Sequence, residues 1–425
     1  MTSLQSVRLL SFTVFAALSM AASAAHADKT IRVPADQATI TKAMEAAAAG
    51  DTVLVAPGTY TDIVAVKDGV VLRSESGTPE NTTIVYGEPA PTDQNQAVLS
   101  LQRCSNSTQI VGLTIDGGDK ARRGILAIGD GSPVISNCTI RKATVGINTA
   151  RNAAPYVQFT RAEACSLAGI HIQGGTGDIH DCDLSGNTTF GLLVGGTTTP
   201  LRVRDCRIQS NREGGVQATE GEFAMTGGVV SGNRNGILLQ YVSPTIQSVT
   251  IEGNSNIGVA IENSTGTLLS CTIRNNNFGV VVSGTGDPKV FQCTFEDNPK
   301  YHLGVEGDAV PVIGGSLENA NLFLGKTDAV IQSQASSNIN ATFNYWGKPC
   351  ASKDQVKVLP GAKDVIRKPW VTADLKTSFT SCEEARKHSR TPVGEGAEAD
   401  EDEDEPAAPT PATGTGGAGA GAGSN

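Results

Sequence analysis

Asp181-Cys182-Asp183-Leu184-Ser185-Gly186-Asn187-Thr188-Thr189-Phe190-Gly191-Leu192-Leu193-Val194 is followed by Asp205-Cys206-Arg207-Ile208-Gln209-Ser210-Asn211-Arg212-Glu213-Gly214-Gly215-Val216-Gln217-Ala218. The two segments share a cysteine, an asparagine five residues later and a glycine followed by an apolar residue, so each is one copy of a repeat. Extended outward, the cysteine column holds Leu113, Cys138, Thr160, Cys182, Cys206, Gly228, Val249, Cys271 and Cys293, at spacings of 21 to 25 residues. The glycine column holds Gly124, Gly146, Gly169, Gly191, Gly215, Gly236, Gly258 and Gly279. Asn187, Asn211, Asn233, Asn254, Asn276 and Asn298 form a third. Several columns at one period mark a stack of equivalent units, none of which buries its apolar face alone.

Alternation along a strand sorts the sides. After the glycine, Ile125/Ala127, Ile147/Thr149, Ile170/Ile172, Leu192/Val194, Val216/Ala218, Ile237/Leu239, Val259/Ile261 and Val280/Val282 are expected to point inward as continuous stacks. Leu126, Asn148, His171, Leu193, Gln217, Leu238, Ala260 and Val281 are expected outside. The asparagines read as a ladder at a turn, bonding to neighbours about 4.8 Å above and below. The fold class that follows is all-β, a right-handed parallel β-helix (solenoid) with an N-terminal capping helix. That helix is expected over residues 39–49, with Ile40, Ala43, Met44 and Ala47 on one face and Gly50 at its stop.

The outer parts follow from composition. Arg8, an apolar run over residues 9–20 and Ala25-His26-Ala27 form a signal-peptide pattern over residues 1–27, too short an apolar run to span a bilayer. Residues 28–60 carry the cap helix and first strand, 61–348 the repeats and 349–389 a C-terminal cap. Residues 390–425, an acidic run followed by Pro, Gly and Ala, are expected to be disordered. The protein is therefore expected to be secreted, periplasmic or at the cell surface, with no membrane span after signal cleavage. Of the formal charge of −10, eight negatives sit at Glu395, Glu398 and residues 400–405, so the body is only mildly acidic. It lacks the basic stripe that binding to nucleic acid requires.

The nine cysteines do not read as a disulfide framework. Five fall in the inward column, where free cysteine behaves as a small hydrophobe and parallel Cβ vectors oppose bridging. Cys350 and Cys382 flank the non-repetitive cap and are the preferred pair for a bridge, while Cys104 and Cys165 stay unassigned.

The opening helix, Gly50-Asp51-Thr52-Val53-Leu54-Val55-Ala56-Pro57-Gly58-Thr59-Tyr60, the Asn-x-x-Gly coils and the closing Asn344-Tyr345-Trp346-Gly347 resemble the pectin-lyase-like right-handed β-helix superfamily over roughly residues 30–348. The resemblance implies an outer face directed at polysaccharide; in its lyases, carboxylates hold Ca²⁺ against an acidic sugar while Arg or Lys removes a proton. The superfamily also includes hydrolases, esterases, adhesins and accessory proteins. Here the strand after the glycine offers no outward carboxylate, Lys or Arg. The strand through the cysteine column brings Arg161, Asp181, Asp183, Asp205 and Arg207 toward one face, with Asp181 and Asp205 as stacked neighbours and a candidate Ca²⁺ site. Two readings of this patch stay open: a solvated ion-pair ladder, or a cation or sugar-acid site. Correspondingly, the chain is either directed at an acidic polysaccharide, which it binds or cleaves, or a non-catalytic surface or periplasmic protein for adhesion or assembly.

Overall fold

A computed structural model describes residues 28–88 and 95–389. The signal segment at residues 1–27 and the acidic tail at 390–425 lie outside the described residues.

Most repeats form one coil of three strands, the first two merging into one long strand in Phe190–Arg204, Gly214–Thr226 and Asn235–Gln247, and strands pair in parallel with their equivalents one coil away. In the glycine-led strands the register runs Ile125 to Ile147, Ile170, Leu192, Val216, Ile237, Val259, Val280, Leu303 and Ile331. These residues are fully buried, as are Ala127, Thr149 and Ile172 on the same side. The alignment of inward positions is thus met along the stack. The glycine column has a steric cause: a Cβ at Gly236 would stand 2.3 Å from the Gly258 carbonyl oxygen, and one at Gly258 2.6 Å from that of Gly279.

Two tight corners follow in each coil, and both are built on one residue in the left-handed region. At the first, Asn137, Phe159, Asp181, Asp205, Ser248, Ser270 and Gln292 have φ near +50°, and the next residue is the buried member of the cysteine column. At the second, Gly186, Ser210, Gly232, Gly253, Asn275 and Asp297 take that role, and the next residue is the ladder asparagine. The ladder is real. Each buried Asn uses both its backbone N–H and its Nδ2 to donate to the Oδ1 of the next one, from Asn187 through Asn211, Asn233, Asn254 and Asn276 to Asn298, at 2.8–3.3 Å. Cys165 sits one coil below Asn187 in this column and donates its N–H to it.

Two boundaries and one expected bridge differ from the sequence expectation. The helix spans Ile40–Ala46 and stops short of residue 49, because the buried Asp51 carboxylate takes the Ala48 N–H at 2.8 Å and so competes with the next helical bond. Its Ile40, Ala43 and Met44 are buried against the first strands. The parallel ladder continues beyond residue 348, to Val356–Val358 and Val365–Ile366. Finally, no disulfide joins Cys350 and Cys382; both line one cavity with Trp370 and are not bridged. Cys104 and Cys165, like the column cysteines, are buried.

Among the described residues no helix is long and apolar enough to cross a membrane.

Candidate functional site

The five residues expected as one patch divide between a strand and a corner. On the strand after the first corner, Arg161, Asp183 and Arg207 are register neighbours in successive coils. Asp183 Oδ2 is shared by Arg161 Nη2 at 3.4 Å and Arg207 Nη2 at 2.9 Å, and Arg161 also reaches Glu163 at 3.5 Å. Both arginines are about half exposed, as in a solvated ladder, and exposed pairs contribute little. Asp183 Oδ1 is buried with no hydrogen-bond partner among the described residues.

Asp181 and Asp205 do occupy successive rungs, because the preceding His180 and Arg204 are in register. They sit at left-handed corner positions, and each carboxylate has a different neighbour. Asp205 lies over Gly227, where an added Cβ would meet its Oδ1 at 2.1 Å. Asp181 Oδ2 lies 2.8 Å from His180 Nδ1. A hard cation such as Ca²⁺ needs six to eight converging oxygens. Among the described residues no three His, Cys, Asp or Glu side chains form such a group, so these residues do not fit a calcium cage.

On the other side of the first corner lies a constellation that the sequence reading passed over. The short strands Val134–Ser136, Tyr156–Gln158 and Asp178–His180, with the end of Phe190–Arg204, present two outward columns: Val134, Tyr156, Asp178 and Arg202, then Ser136, Gln158, His180 and Arg204. His180 is held at both ring nitrogens. Its Nδ1 is 2.8 Å from Asp181 Oδ2, and its Nε2 is 2.6 Å from the Tyr156 hydroxyl. A carboxylate at Nδ1 selects the tautomer that leaves Nε2 free to accept the phenol proton, the logic by which an acid and an imidazole activate a hydroxyl. The Tyr156 ring meets the imidazole edge-on at 4.9 Å, and Phe159, 58% exposed at the corner, flanks it at 5.8 Å. His180 itself is 9% exposed. Beside it Arg204 grips Asp178 through both carboxylate oxygens at 2.9 and 3.0 Å, while Arg202 forms no ion pair among the described residues.

Tyr156, Asp178 and Arg202 line a groove of about 570 Å³ that also touches Asn106, Ser132 and Thr176. These residues come from successive coils, so the groove runs along the stack over a length of roughly 20 Å. Its shape suits an extended chain better than a compact molecule.

The expected outer column of the glycine-led face needs correction. Leu126 and Asn148 are buried, the latter under Arg123, which donates from Nε to Asn148 Oδ1 at 2.8 Å and from Nη1 to the Asn95 carbonyl. Burial first, and the nearby Arg123 second, hold His171 below the usual imidazole range. The strand preceding each cysteine was the missed signal: Tyr156, Asp178, His180, Arg202 and Arg204 stand four or two residues before the column that the alignment had already defined.

A family model described as "right handed beta helix region" matches residues 59–201 and 168–317. The A-module of the Azotobacter vinelandii mannuronan C-5 epimerase AlgE6 superposes with a TM-score of 0.58 at 18% identity, covering 77% of this chain and 93% of that one. The A-module of AlgE4 from the same organism gives 0.57 at 15% identity with the same coverage. At these identities the likeness is one of fold. No curated protein matches by sequence.

Proposed function

This chain belongs to the right-handed β-helix family, and from that premise we propose that it acts on an acidic polysaccharide laid along the groove beside Tyr156. The observation that carries the reading is the His180 imidazole fastened between Asp181 and the Tyr156 hydroxyl at the groove's edge. His180 accepts the phenol proton and the Tyr156 oxygen removes the proton from the ring carbon next to the sugar carboxylate. The charge then resides on that carboxylate, where Arg202 stands to neutralise it. Return of a proton to the opposite face of that carbon gives the epimer; loss of the substituent on the neighbouring carbon gives an unsaturated sugar. Export, expected from residues 1–27, would place the chain where such polymers occur.

The test is a binding and product screen on polymannuronate, polyguluronate and polygalacturonate, with a neutral glucan as control and with and without Ca²⁺. Wild type is expected to bind at least one polyuronate and form product without calcium, and His180→Ala to bind but lose turnover by about a hundredfold or more. Product formation unaffected by His180→Ala removes the relay from the account. Exposed Phe159 and Tyr241, at 58% and 59%, favour a second reading, an adhesive surface without catalysis. Binding with no product in any polymer would select it.

A further inference from the structure

A second cavity, remote in sequence from the groove, lies in the C-terminal region. It holds about 510 Å³ and is lined by Lys353, Arg367, Lys368 and Arg386, with Asp354 as the one carboxylate and with Cys350, Cys382 and Trp370. Trp370 is almost wholly buried, and its indole N–H has no acceptor among the described residues. Lys368 Nζ stands 5.4 Å from the centre of that ring. Arg367 is positioned by donating to the Ser352 carbonyl at 3.0 Å. Lys353, Arg367 and Lys368 around one cavity repel each other, and a buried donor without an acceptor is costly, so both features call for an anion.

The chain itself supplies one. Arg386 lies on the helix Cys382–Ser389, and Glu395 follows the end of that helix by six residues. Six residues reach at most about 20 Å when extended. From Glu395 to Glu405 there are eight carboxylates. So short a tether gives an effective concentration on the order of millimolar. We propose that this cavity is the docking site of the chain's own acidic run, residues 395–405, held by its carboxylates against Lys353, Arg367, Lys368 and the Trp370 indole N–H.

The experiment compares the full chain with a full-length variant in which the eight carboxylates are neutralised (Glu→Gln, Asp→Asn). A fluorescent peptide of sequence 393–405 is titrated onto each and followed by anisotropy. The neutralised chain is expected to bind the peptide at least tenfold more tightly than wild type, whose cavity is filled in cis. Raising ionic strength should weaken that binding steeply, because exposed charge pairs are screened. Adding Lys368→Glu to the neutralised chain should abolish it, with the circular dichroism spectrum unchanged. Equal binding by the two chains, or binding indifferent to Lys368→Glu, overturns the assignment. So does a galacturonate oligomer that binds both chains alike while the peptide binds neither, which would make the cavity a carboxylate site in trans.

Discussion

The two corners of each coil meet the same backbone demand, a single left-handed residue followed by a side chain turned inward, and they meet it with opposite chemistry. At the second corner the inward side chain is asparagine, and each one satisfies two donors of its neighbour. At the first it is mostly cysteine, whose thiol packs as an apolar group and points weakly at carbonyls, as Cys206 Sγ does at the Ile179 oxygen at 3.7 Å. A polar ladder must be continuous, because one gap strands its neighbours. Over the coils up to Cys293 the cysteine column tolerates Leu113, Thr160, Gly228 and Val249, and beyond it changes to Asn321 and Asn344, which repeat the amide pairing. The outer residues at the tolerant corner therefore vary freely, and that is where Asp181 turns to His180 and Phe159 stands exposed.

The sharpest way to break this contrast is Asn233→Leu. The Asn211 backbone N–H and Nδ2 would both lose their acceptor in the interior, and two orphaned donors cost about 4 kcal/mol, measured by chemical denaturation. A loss under 1 kcal/mol would mean that the ladder is decoration.

The ladder's upper end is closed by a different residue, and pH probes it. Asn298 Nδ2 donates to His302 Nδ1 at 3.1 Å, and burial holds that imidazole at about 4. The unfolded chain, with an ordinary histidine near 6.5, binds more protons between these values. Stability is thus full above about 6.5 and falls as pH drops toward 4, by roughly 3 kcal/mol from this group. His302→Gln should flatten that part of the pH profile; an unchanged profile would assign the loss to other groups.

Cys206→Ala, in the tolerant column, should cost only about 1 kcal/mol. The native column thiols should also resist alkylation: burial pushes Cys138 up to about 11, and Cys165, in the asparagine column, up to about 12. Fast labelling of Cys206 in the folded protein would place the column outside. The smallest effect belongs to Arg207→Ala on the exposed ladder, within about 0.5 kcal/mol, since Arg161 still pairs with Asp183.

What was legible in the sequence was what repeats. The inward stacks, the asparagine ladder and the thiol column recur once per coil, so periodicity exposes them. The relay occurs once. Tyr156 and His180 are 24 residues apart and meet only because their strands are register neighbours, and nothing in a column average marks a singular pair. Arg161, Asp183 and Arg207 were placed together correctly, because strand alternation governs them. Asp181 and Asp205 were placed on successive rungs correctly, but their positive φ at the corner takes each side chain out of the strand's alternation, which a pattern of alternating residues does not show. The helix end was missed for a similar reason: Asp51 competes for a backbone N–H from beyond the helix.

The most direct test of the relay is exchange of the sugar proton. Polyuronate incubated with the protein in deuterium oxide and followed by NMR should gain deuterium at the carbon next to the carboxylate, or form unsaturated ends. Tyr156→Phe, which keeps the ring and deletes the hydroxyl, should slow this by about a hundredfold or more while polymer binding persists. Exchange at the wild-type rate in Tyr156→Phe would contradict the assignment of that oxygen as the base.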